Sequence, residues 1–429
     1  MRIVYISFLH PAMHSGGAQQ LAYEMFEAAL AEGIDAYFIA AVPLELAPSK
    51  LPNPGLYELS GRPRELLFVP ADYRFDEFTV GNQSCIDLLI GRLRKISPDV
   101  VHFHHYHCAG VNTLASLKSA LPVCRIIMHL HDMLAVCWRN GQMLDATGKI
   151  CPGASPSNCA SCNPEKDVEF FWSRDRVLLA AFQHVDYFVA PSEYLKRIYV
   201  NWGISASRIL VVENGLKRPP GAEKLAISAS AAAFGFFGQL LDAKGLDVLD
   251  RALRILADVP RRSSLSVEIN GGNLQFASHE CQQLVLSMHG RIRSFADRGI
   301  ELSIRGAYSR TQLRERMQSV DWVIVPSTWG ETFALVISEA WMFGRIPIVS
   351  RVGAMADRVR DNIDGVQFPV GDASALASVM SQISGNHNLH TRLCKAAPQP
   401  RSDRQLLHDH FEVYGFKHFD DQRAASRNI

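Results

Sequence analysis

Apolar runs rich in Val, Ile and Phe alternate with stretches of helical periodicity along most of the chain. RIVYISF (2–8) reads as a first strand. LAYEMFEAALAEG (21–33) reads as a helix, with Leu21, Ala22, Met25, Phe26, Ala29 and Leu30 on one face and Gly33 as its stop. AYFIAAV (36–42), DVVHFH (99–104), CRIIMHL (124–130), YFVAPS (187–192) and ILVVENG (209–215) predict further strands. Their apolar residues do not alternate with polar ones, as expected of parallel strands covered on both faces.

LKRPPGAEKLAISASAAA (216–233) then breaks the pattern with Pro219, Pro220, Gly221 and a run of small residues, and reads as an interdomain linker. Beyond it the alternation restarts. FGFFG (234–238), LSVEING (265–271), IELSIRG (300–306), DWVIVPS (321–327), IPIVS (346–350) and GVQFPV (365–370) are strands between helical segments. The expected fold is α/β, with two Rossmann-like, doubly wound domains facing across a cleft. They span 1–215 and 234–390, and a partly helical tail fills 391–429. In that tail LLHDHFEVYGFKHF is periodic, either a helix docked on the body or a frayed end. Segment 43–85, rich in Pro and Gly, is irregular and has no assigned place. Ligands of such folds bind at the carboxyl ends of the strands, which makes the cleft the default site.

Composition changes this picture little. The chain has 429 residues, too many for one ordinary core, with 48% hydrophobic and 20% charged residues. A net charge of +1 favours neither nucleic acid nor an anionic membrane as partner. No apolar run reaches the roughly 18 residues of a membrane helix, and MRIVYISFLHP is too short in its apolar part for a signal peptide. A cytoplasmic protein is expected.

Three segments carry candidate chemistry. In FGFFGQLLDAKGLDVLDRAL (234–253) a buried strand ends at Gly238, and Lys244-Gly245 opens an amphipathic helix. A lysine at a helix N-terminus has the wrong charge for the helix dipole, so either a phosphate ligand or plain solvation explains it. In VPSTWGETFALVISEAWMFGRIPIVS (325–350) the helix is expected to begin near Thr332 or Phe333. Glu331 then sits at its edge and Glu339 about two turns in, among apolar neighbours. In HSGGAQQLAYEMF (14–26) Gly16-Gly17 lies between the first strand and first helix, where backbone can approach a phosphate or serve as a simple turn.

Taken in order, Gly16-Gly17, PDVVHFH (98–104), MHLHD (128–132), Asn214-Gly215, GQLLDAKG, VPSTWGETFALVISEA and GVQFPVGDASALA (365–377) resemble the retaining glycosyltransferases of the GT-B fold, family 4, over roughly residues 1–380. The most specific element is the E-x7-E pair Glu331/Glu339 with the upstream Lys-Gly. The resemblance implies a hexosyl- or deoxyhexosyltransferase that binds a nucleotide-diphosphate sugar in its C-terminal domain. It implies Glu339 on the ribose, Glu331 and the backbone of Thr332, Phe333 and Ala334 on the sugar and phosphates, and Lys244 with Gly238-Gln239 on the diphosphate. Gly306, Ala307 and Tyr308 would lie near the base, and Gly16 and Gly17 would close on the diphosphate. His131 would be the active-site histidine, with His104 and Asp132 on the acceptor side. Retaining transfer of this kind is described as front-face attack, with Lys244 and backbone dipoles in place of a metal on the diphosphate. The chain departs from the family at Gln239, usually Arg, at the first loop, which lacks the usual glutamate after the glycine pair, and at Thr332-Phe333-Ala334, usually Gly-Phe-Gly.

Nine cysteines include a cluster, Cys137, Cys151, Cys159 and Cys162, spaced C-x13-C-x7-C-x2-C in an insertion at 132–165. A structural zinc site fits four thiolates ending in C-x-x-C; reduced thiols and an iron–sulfur centre are the alternatives. HFHHYH (102–107) places His102 and His104 on one strand face, where packing or substrate contact competes with metal binding. RLRK (92–95) is a small basic patch, a candidate peripheral membrane contact at the inner face or a solvated helix face. The expected function is transfer of a sugar to a glycan or lipid-linked acceptor in bacterial surface polysaccharide synthesis. The alternatives are a nucleotide-sugar epimerase or hydrolase on the same fold, and a non-catalytic nucleotide-sugar-binding protein.

Overall fold

The computed structural model describes residues 1–415 except 15, 52, 220–222, 229, 261 and 262. The chain forms two compact units, Met1–Lys217 with Arg401–Ile429, and Arg218–Pro400.

The strands of the first unit are β1 (Arg2–Phe8), β2 (Asp35–Ala41), β3 (Gly55–Leu59), β4 (Arg62–Val69), a short hairpin of β5 (Tyr73–Arg74) and β6 (Thr79–Val80), β7 (Val100–Phe103), β8 (Arg125–His129), β9 (Tyr187–Ala190) and β10 (Ile209–Val211). Eight of them form one sheet in the order β10-β9-β8-β7-β1-β2-β4-β3. Every pairing in it is parallel except β3 with β4. Strand order reverses beside β1, so the loops after β1 and β7 diverge there and leave a crevice at their carboxyl ends. Segment 43–85 is more regular than its composition suggests. It supplies the antiparallel edge, turned back at Gly61 with φ 74°.

The second unit holds β11 (Ala233–Gln239), β12 (Leu265–Gly272), β13 (Ile300–Gly306), β14 (Trp322–Val325), β15 (Ile346–Ser350) and β16 (Val366–Phe368). Their order, β13-β12-β11-β14-β15-β16, is that of a doubly wound parallel sheet. Here the reversal falls between β11 and β14. Phe234, Phe236, Val267, Ile269, Trp322, Ile324 and Ile348 bury its centre against helices such as Leu246–Asp258, whose Leu246, Leu249, Leu253 and Leu256 share one face.

Two expected boundaries move. Segment 216–233 is not a free linker where it is described: the Leu225 N–H bonds Phe343 O, and Ser228 bonds the buried Asp321 through its backbone and its hydroxyl. Both anchor it to the second unit. The expected tail 391–429 divides. Helix His387–Ala396 stays with the second unit, whereas helix Asp403–Val413 returns to the first and buries Leu406, Leu407, His410, Phe411 and Val413. Arg404 pairs with Glu32 at 2.6 Å, and the Arg125 guanidinium donates to Tyr414 O. The final stretch of the periodic piece, 416–419, lies outside the described residues.

Candidate functional site

In the second unit the loops after β11 and β14 meet where strand order reverses. The first runs from Gly238, at φ 143°, through the turn Asp242–Lys244 to Gly245, which caps helix Leu246–Asp258 at φ 73°. Lys244 therefore sits just ahead of the helix, not in its first turn. A Cβ on Gly245 would lie 1.9 Å from Pro326 O, so only glycine allows the two loops this approach. The Thr328 N–H donates to Ala243 O and locks them together.

This contact brings Lys244 to Glu331. Lys244 Nζ lies 2.6 Å from Glu331 Oε1, which also accepts from the Ser327 hydroxyl at 2.7 Å and from Trp329 Nε1 at 3.1 Å. The lysine also lies over the Trp329 ring. Burial pushes the Glu331 carboxyl up, but the charge and hydrogen bond of Lys244, with those from Ser327 and Trp329, outweigh it and hold the group below its ordinary value. Behind the loop, the Ala354 N–H bonds Glu331 O, and a Cβ on Gly353 would collide with Gly330.

The helix after Glu331 starts later than expected. It spans Leu335–Met342, with Ala334 as its cap in the left-handed region at φ 59°, so Glu339 is one turn in. Phe333 is buried, and Arg358 stacks on its ring with the guanidinium carbon 3.5 Å from the centroid. The same guanidinium donates to Phe333 O, Ala334 O and the Ser338 hydroxyl. It thereby holds the backbone of Phe333 and Ala334, just ahead of the helix, in place. Burial raises the Glu339 carboxyl, against the opposing charge of Arg310. Tyr308 is raised by burial and then by the charge of Glu339, and it packs edge-on against Phe237. Gly306, at φ 71°, ends β13 and turns the chain into Ala307 and Tyr308. Gln239 ends β11 and pairs with Gly272. The second unit thus pairs a cation with a carboxylate in the loops ahead of helix Leu335–Met342, on which Glu339 sits one turn in.

In the first unit Gly16 caps helix Gly17–Ala31, close to the Gln19 side chain; Ser15 before it lies outside the described residues. His104 follows β7 and His131 follows β8; His104 Nδ1 and His131 Nε2 lie 3.1 Å apart. Burial, then the neighbouring His105, pull His131 down to about 3, against the opposing charge of Asp132. Asp132 accepts from His105 Nε2 at 2.8 Å and from the Leu134 N–H. The His107 N–H donates to His105 Nδ1, which fixes that ring's tautomer. Burial raises Asp132, but His105 and the Leu134 N–H bring it below the ordinary carboxylate value. His105, Arg358, Ser327 and Trp329 were not singled out from the sequence; His105 stood in plain view within HFHHYH.

Cys137, Cys151, Cys159 and Cys162 all line one small cavity of about 20 Å³, with Trp138, Met143 and Asn163. All nine cysteines are free thiols. Arg92 of RLRK pairs with Glu58, whereas Arg94 and Lys95 face solvent. Among the described residues no helix is long and apolar enough to cross a membrane.

Comparison with known proteins places this arrangement. The family model described as Glycosyltransferase Family 4 matches residues 15–217, and that described as Glycosyl transferases group 1 matches 231–386. The chain aligns with Anabaena Alr3699/HepE, solved in complex with UDP, at 16% identity, covering 97% of this chain and 100% of that one with a TM-score of 0.64. The fold is that of the GT-B glycosyltransferases. The first part of the chain thus resembles the family 4 glycosyltransferases and the second part those of group 1. A D-inositol 3-phosphate glycosyltransferase of Streptomyces coelicolor is 25% identical over 70% of this chain, which spans 64% of that relative's length. The lipopolysaccharide 1,2-N-acetylglucosaminetransferase of Salmonella typhimurium is 28% identical over 46% of this chain and 51% of its own.

Proposed function

We propose that the protein transfers a hexosyl or deoxyhexosyl group from a nucleotide-diphosphate sugar to a glycan or lipid-linked acceptor, with retained configuration. The observation that carries this reading is the Lys244–Glu331 pair beside the N-terminus of helix Leu335–Met342, with Glu339 one turn in. Lys244 and the free helix N–H groups suit the diphosphate, Glu331 the sugar hydroxyls and Glu339 the ribose. An arriving diphosphate competes with Glu331 for Lys244 and frees the carboxylate for the sugar. The bond from the anomeric carbon to the diphosphate oxygen then breaks as the acceptor oxygen bonds to that carbon. The acceptor's proton passes to the departing diphosphate, whose charge Lys244 and the helix N–H groups stabilise, so no metal ion is required there.

The acceptor is assigned to the first unit, with His131, His104 and Asp132 beside it. The names of the relatives support UDP as the first nucleotide to test and a bacterial surface polysaccharide as the acceptor class. The protein is read as cytoplasmic, working at the inner face of the membrane. Four thiols around one ion-sized cavity fit a structural zinc that staples the insertion at 132–165.

A thermal-shift screen with UDP-, GDP-, TDP- and ADP-sugars tests the reading, since a specific ligand stabilises by mass action. One nucleotide class raising Tm, followed by acceptor-dependent loss of that donor, supports transfer. Release or isomerisation of the sugar without acceptor would instead mark a hydrolase or epimerase.

A further inference from the structure

We propose that the first unit holds a transition-metal ion, zinc or a similar divalent cation, on His102, His104 and His129, with His410 as a fourth ligand. These residues come from β7, the turn after it, the end of β8 and helix Asp403–Val413. One ligand atom from each of the first three lies within 4.8 Å of the others, and all three side chains are buried. The His410 ring lies 5.3 Å from that of His102 and 5.6 Å from that of His129, centroid to centroid.

The hydrogen bonds say which nitrogens are available. His410 Nδ1 donates to Leu406 O, which leaves a lone pair on Nε2. His129 Nε2 donates to Asn214 Oδ1, which leaves a lone pair on Nδ1. His102 Nδ1 is held by the Tyr414 hydroxyl, and His104 Nδ1 by His131. The other nitrogen of each ring, Nε2 of His102, His104 and His410 and Nδ1 of His129, is buried without a hydrogen-bond partner. Four buried polar atoms left over in one cluster need an explanation. An imidazole anchored through one nitrogen and bare at the other is the arrangement of a metal ligand. An all-imidazole set suits zinc, copper, nickel or iron and not magnesium or calcium.

The ion would tie the carboxyl ends of β7 and β8 to the returning C-terminal helix. With Nε2 of His104 on the metal, its Nδ1 carries the proton and donates to His131 Nε2. His104 thereby acts as a positioning residue for His131.

The test uses the full chain with Cys159→Ser and Cys162→Ser, which removes thiolate binding at the cysteine cavity. Chelator-stripped protein is loaded with zinc, desalted and assayed for metal, with circular dichroism confirming the fold. About one zinc per chain is expected, lost on adding His102→Gln and His129→Gln. Its X-ray absorption should show a first shell of imidazole nitrogens. A folded serine variant that retains no zinc, or zinc with a sulfur or oxygen-only shell, would overturn the proposal. If the serine variant does not fold, cobalt titration of the wild-type chain replaces it. Uptake that continues after thiolate charge-transfer absorption has saturated supports the site. Uptake that ends with that absorption overturns it.

Discussion

Lys244 Nζ and Glu331 Oε1 lie 2.6 Å apart although 87 positions separate them in the chain. The pair closes the crevice side of the second sheet's reversal point, where Gly245 and Pro326 touch through their backbones. The lysine side chain is a quarter exposed and the glutamate nearly buried, so the interaction lies between a surface and a core ion pair. Lys244→Met leaves the carboxylate with Ser327 and Trp329 alone and should cost about 1–3 kcal/mol. Urea unfolding should show a lower midpoint at unchanged slope. Adding Glu331→Gln should cost less than the sum of the two single changes.

Acid should weaken this site in a set direction. Folding holds the Glu331 carboxyl below its ordinary value. Its contribution is therefore full above the unfolded value of about 4.3 and is lost as pH falls through the folded value. In Glu331→Gln this part of the acid limb should disappear, so the stability curves of variant and wild type should converge as pH drops.

Glu339 behaves oppositely, since burial raises it in the free protein. The ionised carboxylate accepts from both ribose hydroxyls and holds them more strongly than the protonated acid does. Donor affinity should therefore rise with pH up to the raised Glu339 value and level off above it. Calorimetric titration of Glu339→Gln should show that rise flattened, and binding weaker by on the order of tenfold to a hundredfold.

Arg358 holds the loop that carries Thr332–Ala334 through two carbonyls and the Phe333 ring. Arg358→Ala should raise the donor KM more than it lowers kcat, because the loop then loses its bound shape. Arg358→Lys should not restore it, since a point charge reproduces neither the fork nor the stacking. Steady-state kinetics at varied donor concentration separates the two effects.

Apart from β3 and β4 in segment 43–85, the strands of both sheets were legible because unalternating Val, Ile and Phe runs leave few other readings. Glu331 and Glu339 stood out as charges among apolar neighbours, and Lys244 as a cation at a helix N-terminus. Their mutual placement did not, because a contact across 87 residues depends on strand order, which no local pattern encodes. The start of helix Leu335–Met342 was placed too early because Ala334 carries no signal for its left-handed backbone. Helix Asp403–Val413 showed its periodicity, but nothing local says which unit it covers. The histidine cluster was half visible in HFHHYH; the rest waited on β8 lying beside β7 and on His410 returning from the far end of the chain.

Retaining transfer at the Lys244–Glu331 site is tested by one assay, followed by NMR, with the donor identified by thermal shift, comparing wild type, Lys244→Ala and Glu339→Ala. The product should keep the donor's anomeric configuration, and turnover should fall by about a hundredfold or more in both variants. A product of inverted configuration, or near-wild-type turnover in both variants, would contradict it.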